Sequence, residues 1–357
     1  MAISLSQLDK RVKFLEDSFM PTPSTTKLEY NSKQYIVSSG DATVKVLAKT
    51  VIAVGEVVFN ISSDTTIGSS NLDTGSFVVG KNYYIYCCNS GGSPVFKVSL
   101  NSTYPNGFNA TNSRKIGGFH YGHQRRFSKP TIEPINTSGV AWGSGWEDNI
   151  YTGILPFSVW TLLHRPKCNP EGMVWCEPIN KWVDIYICNT NNKSEYNTTP
   201  MTGSEGLMYY DWVEKIARAT GKYPLSYLEF CCVADGSPNG RDGDNNYAWS
   251  KTSNTGRNPT GIIAKAVSCY GLKDCSGNVW EVGTEISFST QGSWAWRNKN
   301  EVKKGAWFAS NNNDVDISLH GGFWYDGSYC GSRSLACGSC VFRVNSGVGC
   351  RLSCDPM

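Results

Sequence analysis

The chain has 357 residues, 40% hydrophobic and only 18% charged, with a formal net charge of +3, which suffices for one large domain or two to three ordinary ones. Its 36 glycines, 12 tryptophans, 18 tyrosines and 14 phenylalanines favour turn-rich, aromatic β structure over helical bundles. No run of Lys or Arg exceeds two residues and no stretch offers the roughly 18 uncharged apolar residues of a membrane span, which argues against nucleic acid as partner and against membrane insertion.

Charges are scattered through residues 1–20, which lack the continuous apolar core of a secretory signal. The expectation is a protein made in the cytoplasm that leaves, if at all, by another route. Leu5, Leu8, Val12, Leu15 and Phe19 recur at spacings of 3, 4, 3 and 4, a heptad seam. Two heptads are too short to be stable alone, so residues 1–20 are predicted to form an oligomerisation helix, completing a bundle with neighbouring copies. The alternative is an amphipathic helix packed on its own domain. Pro21-Thr-Pro23 ends the helix and opens a linker.

Residues 21–126 contain short β-branched or aromatic runs, Gln34–Val37, Ala42–Leu47, Val57–Ile61, Tyr83–Tyr86 and Val95–Val98, separated by Gly, Asn, Asp and Ser clusters. That pattern predicts an all-β connecting or anchoring domain. His120 and His123 stand near its end. Two histidines at i, i+3 on a helix could touch one metal, but without a further ligand they make a weak site, and structural or surface roles are expected. The stretch from Phe127 to Trp146 is rich in Pro, Ser and Gly and marks a boundary.

The last region, residues 127–357, reads as mixed α+β with much irregular structure. A helix is predicted near Leu207 to Thr220, with Tyr209, Trp212, Val213, Ile216 and Ala217 on one side and Gly221 just beyond its end. A second, short helix follows Pro224. Asp235, Asp242, Asp244, Asn245 and Asn246 supply oxygen ligands that could hold a structural Ca2+, although their spacing is not that of an EF-hand and a solvated loop is the alternative. The fourteen cysteines show no regular framework and are expected to be reduced packing residues. No nucleophile elbow or phosphate-cradling loop is present.

The most informative string is Tyr270-Gly-Leu-Lys-Asp-Cys-Ser-Gly-Asn-Val-Trp-Glu281. Taken alone it describes a turn that tolerates positive φ at Ser276-Gly-Asn278, followed by a strand. It also resembles the signature of the formylglycine-generating-enzyme type of C-type lectin fold. Four further stretches agree in order: Gly172-Met-Val-Trp175, Gly221-Lys-Tyr-Pro-Leu-Ser-Tyr-Leu-Glu-Phe230, His320-Gly-Gly-Phe-Trp324 and Val348-Gly-Cys-Arg-Leu352. The resemblance implies an α+β chain with a C-terminal C-type lectin fold, preceded by the all-β domain and the short coiled-coil helix.

That scaffold hosts enzymes and binders alike. The enzymatic branch uses two cysteines to bind copper. The candidates here are Cys330, Cys337 and Cys340, but the first of the family's pair falls near Asp326, and one soft ligand is therefore missing. A copper-dependent oxidase is the runner-up reading. An iron enzyme of this fold needs a histidine triad, and the region holds only His164 and His320. No catalytic residue or cofactor is assigned.

The binder branch includes the variable proteins of diversity-generating retroelements, phage tropism determinants among them, which the chain resembles. In that family a template Asn codon is rewritten to any codon ending in a pyrimidine, which excludes Lys, Glu, Gln, Met and Trp. These five types make up 57 of the 357 residues, so about 6 are expected by proportion in Leu319–Cys354; the segment holds one, Trp324. The resemblance places the diversified, ligand-binding positions at Phe323, Tyr325, Asp326, Tyr329, Ala336, Gly338, Cys340, Phe342 and Gly347. It leaves Gly277, Asn278, Trp280, Trp324, Arg333, Gly349 and Arg351 as scaffold. If extended, Ala336, Gly338, Cys340 and Phe342 share one face, an ordinary half-buried strand with Phe342 in the core being the alternative, and Tyr325, Tyr329 and Phe342 are the expected anchors, with Asp326 as polar contact.

What the resemblance implies is a non-enzymatic receptor-binding, adhesin-like protein of phage or prophage origin, located on a phage tail or outside the cell after release. Its ligand would be a host or bacterial cell-surface protein or glycan. A homotrimer joined through residues 1–20 and attached to other tail proteins would gain avidity. An invariant structural or carbohydrate-binding tail protein is the remaining alternative.

Overall fold

The computed structural model describes residues 28–29, 33–125, 150–240, 243–288, 295–297, 307–309 and 315–357. The expected helix over residues 1–20 and the boundary stretch 127–146 lie outside them. Two compact units are present, one running to Phe119 with Val159–His164, the other made of His120–Ser158 with Arg165–Met357. Among the described residues no helix is long and apolar enough to cross a membrane.

The first unit is built from β1 (Leu28–Glu29), β2 (Ile36–Gly40), β3 (Thr43–Val46), β4 (Thr50–Val54), β5 (Val57–Ile61), β6 (Thr65–Ile67), β7 (Lys81–Ser90), β8 (Ser93–Ser99) and the first half of β9 (Ser113–Arg125). Strands β1-β4-β5 form one sheet and β2-β3-β6 another. Side chains alternate along β3: Val44 and Val46 are buried, while Thr43 and Lys45 are less so. Strand β7 reverses into β8 through Gly91 and Gly92, both at positive φ. Tyr83 stacks on Phe119 at 5.6 Å, with Phe77 edge-on to both. Thr50–Val54, a further β-branched run, pairs with β5 along its length.

The second half of β9 pairs with β10 (Ile150–Ile154), and its first half with β11 (Trp160–Thr161) of the first unit. His120 and His123 therefore lie on a strand. Their odd separation sends the side chains to opposite faces, which removes the shared-metal geometry a helix would have allowed. His120 Nε2 lies 2.8 Å from the Tyr186 hydroxyl, and His123 Nδ1 3.0 Å from Thr152 Oγ1.

The second unit continues with β12 (Met173–Cys176) and β13 (Lys181–Asp184). Helix α1, residues 209–220, is α-helical at Tyr209–Asp211 and Ala217–Thr220, with a π turn at Trp212–Ile216 between them. It ends on Gly221 at φ +68, the left-handed cap that glycine accepts. Tyr209, Trp212, Ile216 and Ala217 are buried, but Val213, expected on that face, is exposed; the wider π turn rotates it away. After β14 (Tyr223–Pro224), α2 (Tyr227–Val233) opens with a capping box in which Ser226 Oγ accepts from the Glu229 amide and Glu229 accepts from the Ser226 amide.

The remaining strands are β15 (Trp280–Phe288), β16 (Ala295–Arg297), β17 (Trp307–Ala309), β18 (Val315–His320), β19 (Leu335–Cys337), β20 (Val348–Gly349) and β21 (Leu352–Cys354). They complete two sheets, β12-β13-β21-β14 and β16-β17-β19-β18-β15-β20. One core of the unit gathers Tyr209, Trp212, Trp280, Val282, Leu319, Ala336 and Val348; another gathers Val174, Ile185, Tyr186, Phe230 and Leu272. The described chain is mostly β with few, short helices.

Candidate ligand-binding site

The Tyr270–Glu281 string folds as its turn chemistry requires. Asp274, Gly277 and Asn278 all have positive φ. A Cβ at Gly277 would stand 2.7 Å from the Trp249 carbonyl oxygen. The Asn278 amide side chain accepts from the Asn258 N–H at 2.9 Å and donates to the Asn258 carbonyl at 3.1 Å. Trp280 is buried, and Trp280 and Glu281 pair in parallel with Val348 and Gly349. A Cβ at Gly349 would meet the Met201 carbonyl oxygen at 2.8 Å.

Arg351 closes this frame. Its Nε and Nη2 reach the two carboxylate oxygens of Glu281 at 3.0 and 2.8 Å, and its remaining donors meet the carbonyls of Asp184, Ile185 and Lys273. Arg351 and Glu281 are both buried. Burial pushes the Glu281 carboxyl up, against the downward pull of Arg351. Such a pair holds only because its donors and acceptors are all met. Arg333, placed with the scaffold, is half-buried, and its carbonyl accepts from the Tyr227 hydroxyl at 2.9 Å.

From this frame the segment 321–347 is suspended. Gly321 and Gly322, at φ +89 and +87, turn the chain out of β18. Phe323 follows, half-buried, its ring 4.4 Å from that of Tyr325 and 5.1 Å from that of Trp324, which is buried. Tyr325 is 48% exposed, Tyr329 42% and Phe342 65%. Asp326, expected as an exposed polar contact, is buried instead, because its carboxylate accepts from the Phe323 amide at 3.1 Å and closes the local turn. Burial pushes that carboxyl up to about 7, against the lowering hydrogen bond from Phe323.

The common outward face expected for Ala336, Gly338, Cys340 and Phe342 is not formed. Ala336 pairs with Leu319 across β18 and β19 and lies in the core, 7% exposed, and Gly338 is also buried. The strand stops at Cys337, Cys340 bridges Asp316, and the chain turns over residues 341–342, so the two-residue alternation ends before Phe342. Cys340 is half-buried against the core. Gly347 is buried, and a Cβ there would meet the Phe323 ring at 2.6 Å.

What holds the far end of the segment is main chain. The amides of Tyr209 and Tyr210 donate to the carbonyls of Arg343 and Val341, and the Ile317 and Val341 amides to those of Ser339 and Val315. The Gly203 and Trp280 amides donate to the carbonyls of Asn345 and Gly347. Beside Phe342 stand two exposed residues not singled out in the sequence: Tyr210, whose ring lies 6.2 Å from that of Phe342, and Val344. Tyr210 follows the buried Tyr209 in α1, and an aromatic on the outer side of an amphipathic helix was the available signal.

The other candidate chemistry is dispersed. Cys330 is fully buried and its Sγ donates to the Phe323 carbonyl, while Cys337 and Cys340 are half-buried. Among the described residues no group of three His, Cys, Asp or Glu side chains has metal-holding geometry. In the Asp235–Asn246 loop, Asp242 lies outside the described residues. Asp244 Oδ1 accepts from the Asn246 amide, and Asn245 exchanges side-chain hydrogen bonds with Asn254.

Fold and segment together give a lectin-like scaffold that carries an aromatic, turn-rich stretch. Residues 34–147 match the family model described as the Mtd second domain. The chain is 26% identical over 320 residues to the tail fiber receptor-binding protein of Bordetella phage BPP-1, covering 83% of this chain and 75% of that one. It superimposes on the I1 and P3c variants of the major tropism determinant with TM-scores of 0.70 and 0.69, at 23% identity, over 93% of this chain and 86% of theirs. The likeness to variable proteins of the tropism-determinant kind, drawn from the sequence motifs, therefore holds.

Proposed function

We propose that this is a phage receptor-binding protein whose lectin-like unit presents Tyr325, Tyr329 and Phe342 to a bacterial cell-surface protein or glycan. The observation that carries this reading is a coincidence in one place: the segment from Leu319 to Cys354 that nearly lacks Lys, Glu, Gln, Met and Trp also carries these three exposed rings. Aromatic side chains with two rotatable bonds give large contact area at low entropy loss, as in antibody paratopes. Phe323, Asp326, Ala336, Gly338, Cys340 and Gly347 are read as further positions open to codon randomisation, acting on the segment's shape from beneath. The protein is read as a binder without catalytic role.

The five motifs support placing the lectin fold in the formylglycine-generating subtype. The heptad over residues 1–20 supports a homotrimer, and the tail-fiber relative supports a place on the virion tail. The test is binding of labelled full-length protein to a panel of bacterial cells. The triple variant Tyr325→Ala, Tyr329→Ala, Phe342→Ala should lose binding with its Tm nearly unchanged; retained binding sinks the reading. An adenine-rich near-copy of the 3′ coding end beside a reverse-transcriptase gene would establish the diversification, and an intact locus without one would remove it.

A further inference from the structure

Residues 165–168 run antiparallel to the C-terminal residues 354–357. The Lys167 amide donates to the Asp355 carbonyl and the Met357 amide to the Arg165 carbonyl, each at 3.0 Å, and Pro166 bridges Pro356. All three pairs share one register. The prolines, which have no N–H to give, occupy the non-hydrogen-bonded place between two hydrogen-bonded pairs. The next non-hydrogen-bonded place along that register sets Cys168 opposite Cys354. Cα atoms in such pairs approach to about 4.5 Å, with side chains at their closest, inside the Cα range of roughly 4.4–6.8 Å that a disulfide spans.

We propose that Cys168 and Cys354 are a redox-active pair that closes to a cross-strand disulfide when the protein meets a small-molecule disulfide such as oxidised glutathione. Their surroundings set them apart from the other cysteines. A hydrogen bond from Cys168, followed by backbone amides and the Lys222 charge, outweighs burial and holds the Cys354 thiol down at about 7; the same bond holds Cys168 well up. Lys222 is itself anchored on Asp184 at 2.6 Å. Burial instead pushes Cys188 and Cys275 up to about 12, and Cys330 and Cys350 well up.

The exposures of the two sulfurs order the steps. Cys168 is partly exposed and Cys354 buried. The Cys354 thiolate takes the Cys168 proton, and the Cys168 thiolate attacks one sulfur of the reagent; the reagent's S–S bond breaks and one thiolate leaves. That leaving thiolate takes the proton back from Cys354. The Cys354 thiolate then attacks Cys168 Sγ, expelling the second reagent thiolate, which is protonated from solvent. Two protein thiols are oxidised to one disulfide, and one small disulfide is reduced to two thiols. The new bond ties the end of β21 to the stretch that begins at Arg165, both in the second unit.

The test is mass spectrometry of the folded full-length protein after exposure to oxidised glutathione. The expected product has lost two hydrogens and yields a cross-linked peptide pair containing Cys168 and Cys354, with a Tm higher than the reduced protein's by about 5 °C or more. Cys354→Ser removes both the base and the resolving thiol, so a glutathione adduct on Cys168 should form more slowly and then persist, and Cys168→Ser should stay largely unmodified at Cys354. If the wild-type protein keeps both thiols open to alkylation after unfolding, or links other cysteines instead, the proposal is overturned whatever the variants do.

Discussion

Arg351 and Phe342 lie nine residues apart and meet opposite conditions. Arg351 is wholly enclosed, and its donors meet two carboxylate oxygens and three carbonyls; Phe342 is 65% exposed, with one ring beside it. The frame residue is specified by directional bonds in a dry environment, the segment residue by almost nothing. A protein that changes its binding surface while keeping its fold needs both kinds of position close together, and here they alternate along one short stretch.

The largest expected effect attacks the frame. Arg351→Met leaves Glu281 buried without its partner and should destabilise by about 3–5 kcal/mol, read from urea unfolding; a change under about 1 kcal/mol would break the contrast. Next is Asp326, which sits in the segment but behaves as frame. Its folded pKa of about 7 lies above the ordinary carboxylate value of 3.8, so the folded state holds a proton that the unfolded state has released. Stability should therefore fall as pH rises from about 4 through 7, by no more than about 4 kcal/mol. Asp326→Asn should flatten that slope while keeping an oxygen for the Phe323 amide.

A third test separates positions within the segment. Ala336→Leu overfills the core beside Leu319 and should destabilise by about 1–3 kcal/mol. Phe342→Ala removes an exposed ring and should change stability by no more than about 0.5–1 kcal/mol. Equal effects at the two sites would mean that exposure does not sort this segment into load and display.

Much of the frame was legible in sequence because its chemistry is local. Gly277 and Asn278 announce a positive-φ turn, Pro224 the short helix after it, and Gly221 a helix end. The three exposed rings were legible as residue types in a compositionally odd segment. The burial of Ala336 was not, since it depends on a partner, Leu319, and on β19 being only three residues long. The same holds for Asp326, whose carboxylate is claimed by an amide three residues back. For His120 and His123 the spacing alone carried no meaning until helix or strand was known; on a strand they take the separate hydrogen bonds of ordinary structural residues.

The main-chain bonds that carry residues 339–347 have a further consequence. Every amino acid except proline brings the same N–H and C=O, so a tether made of these atoms does not depend on which side chain each residue carries. Most replacements at Phe342 would thus leave the path of the chain unaltered, and a library of such replacements would be a library of surfaces on one backbone. Proline at Val341 would remove the hydrogen bond its amide donates to the Val315 carbonyl while leaving its own carbonyl for the Tyr210 amide, so that one replacement would loosen the tether on a single side.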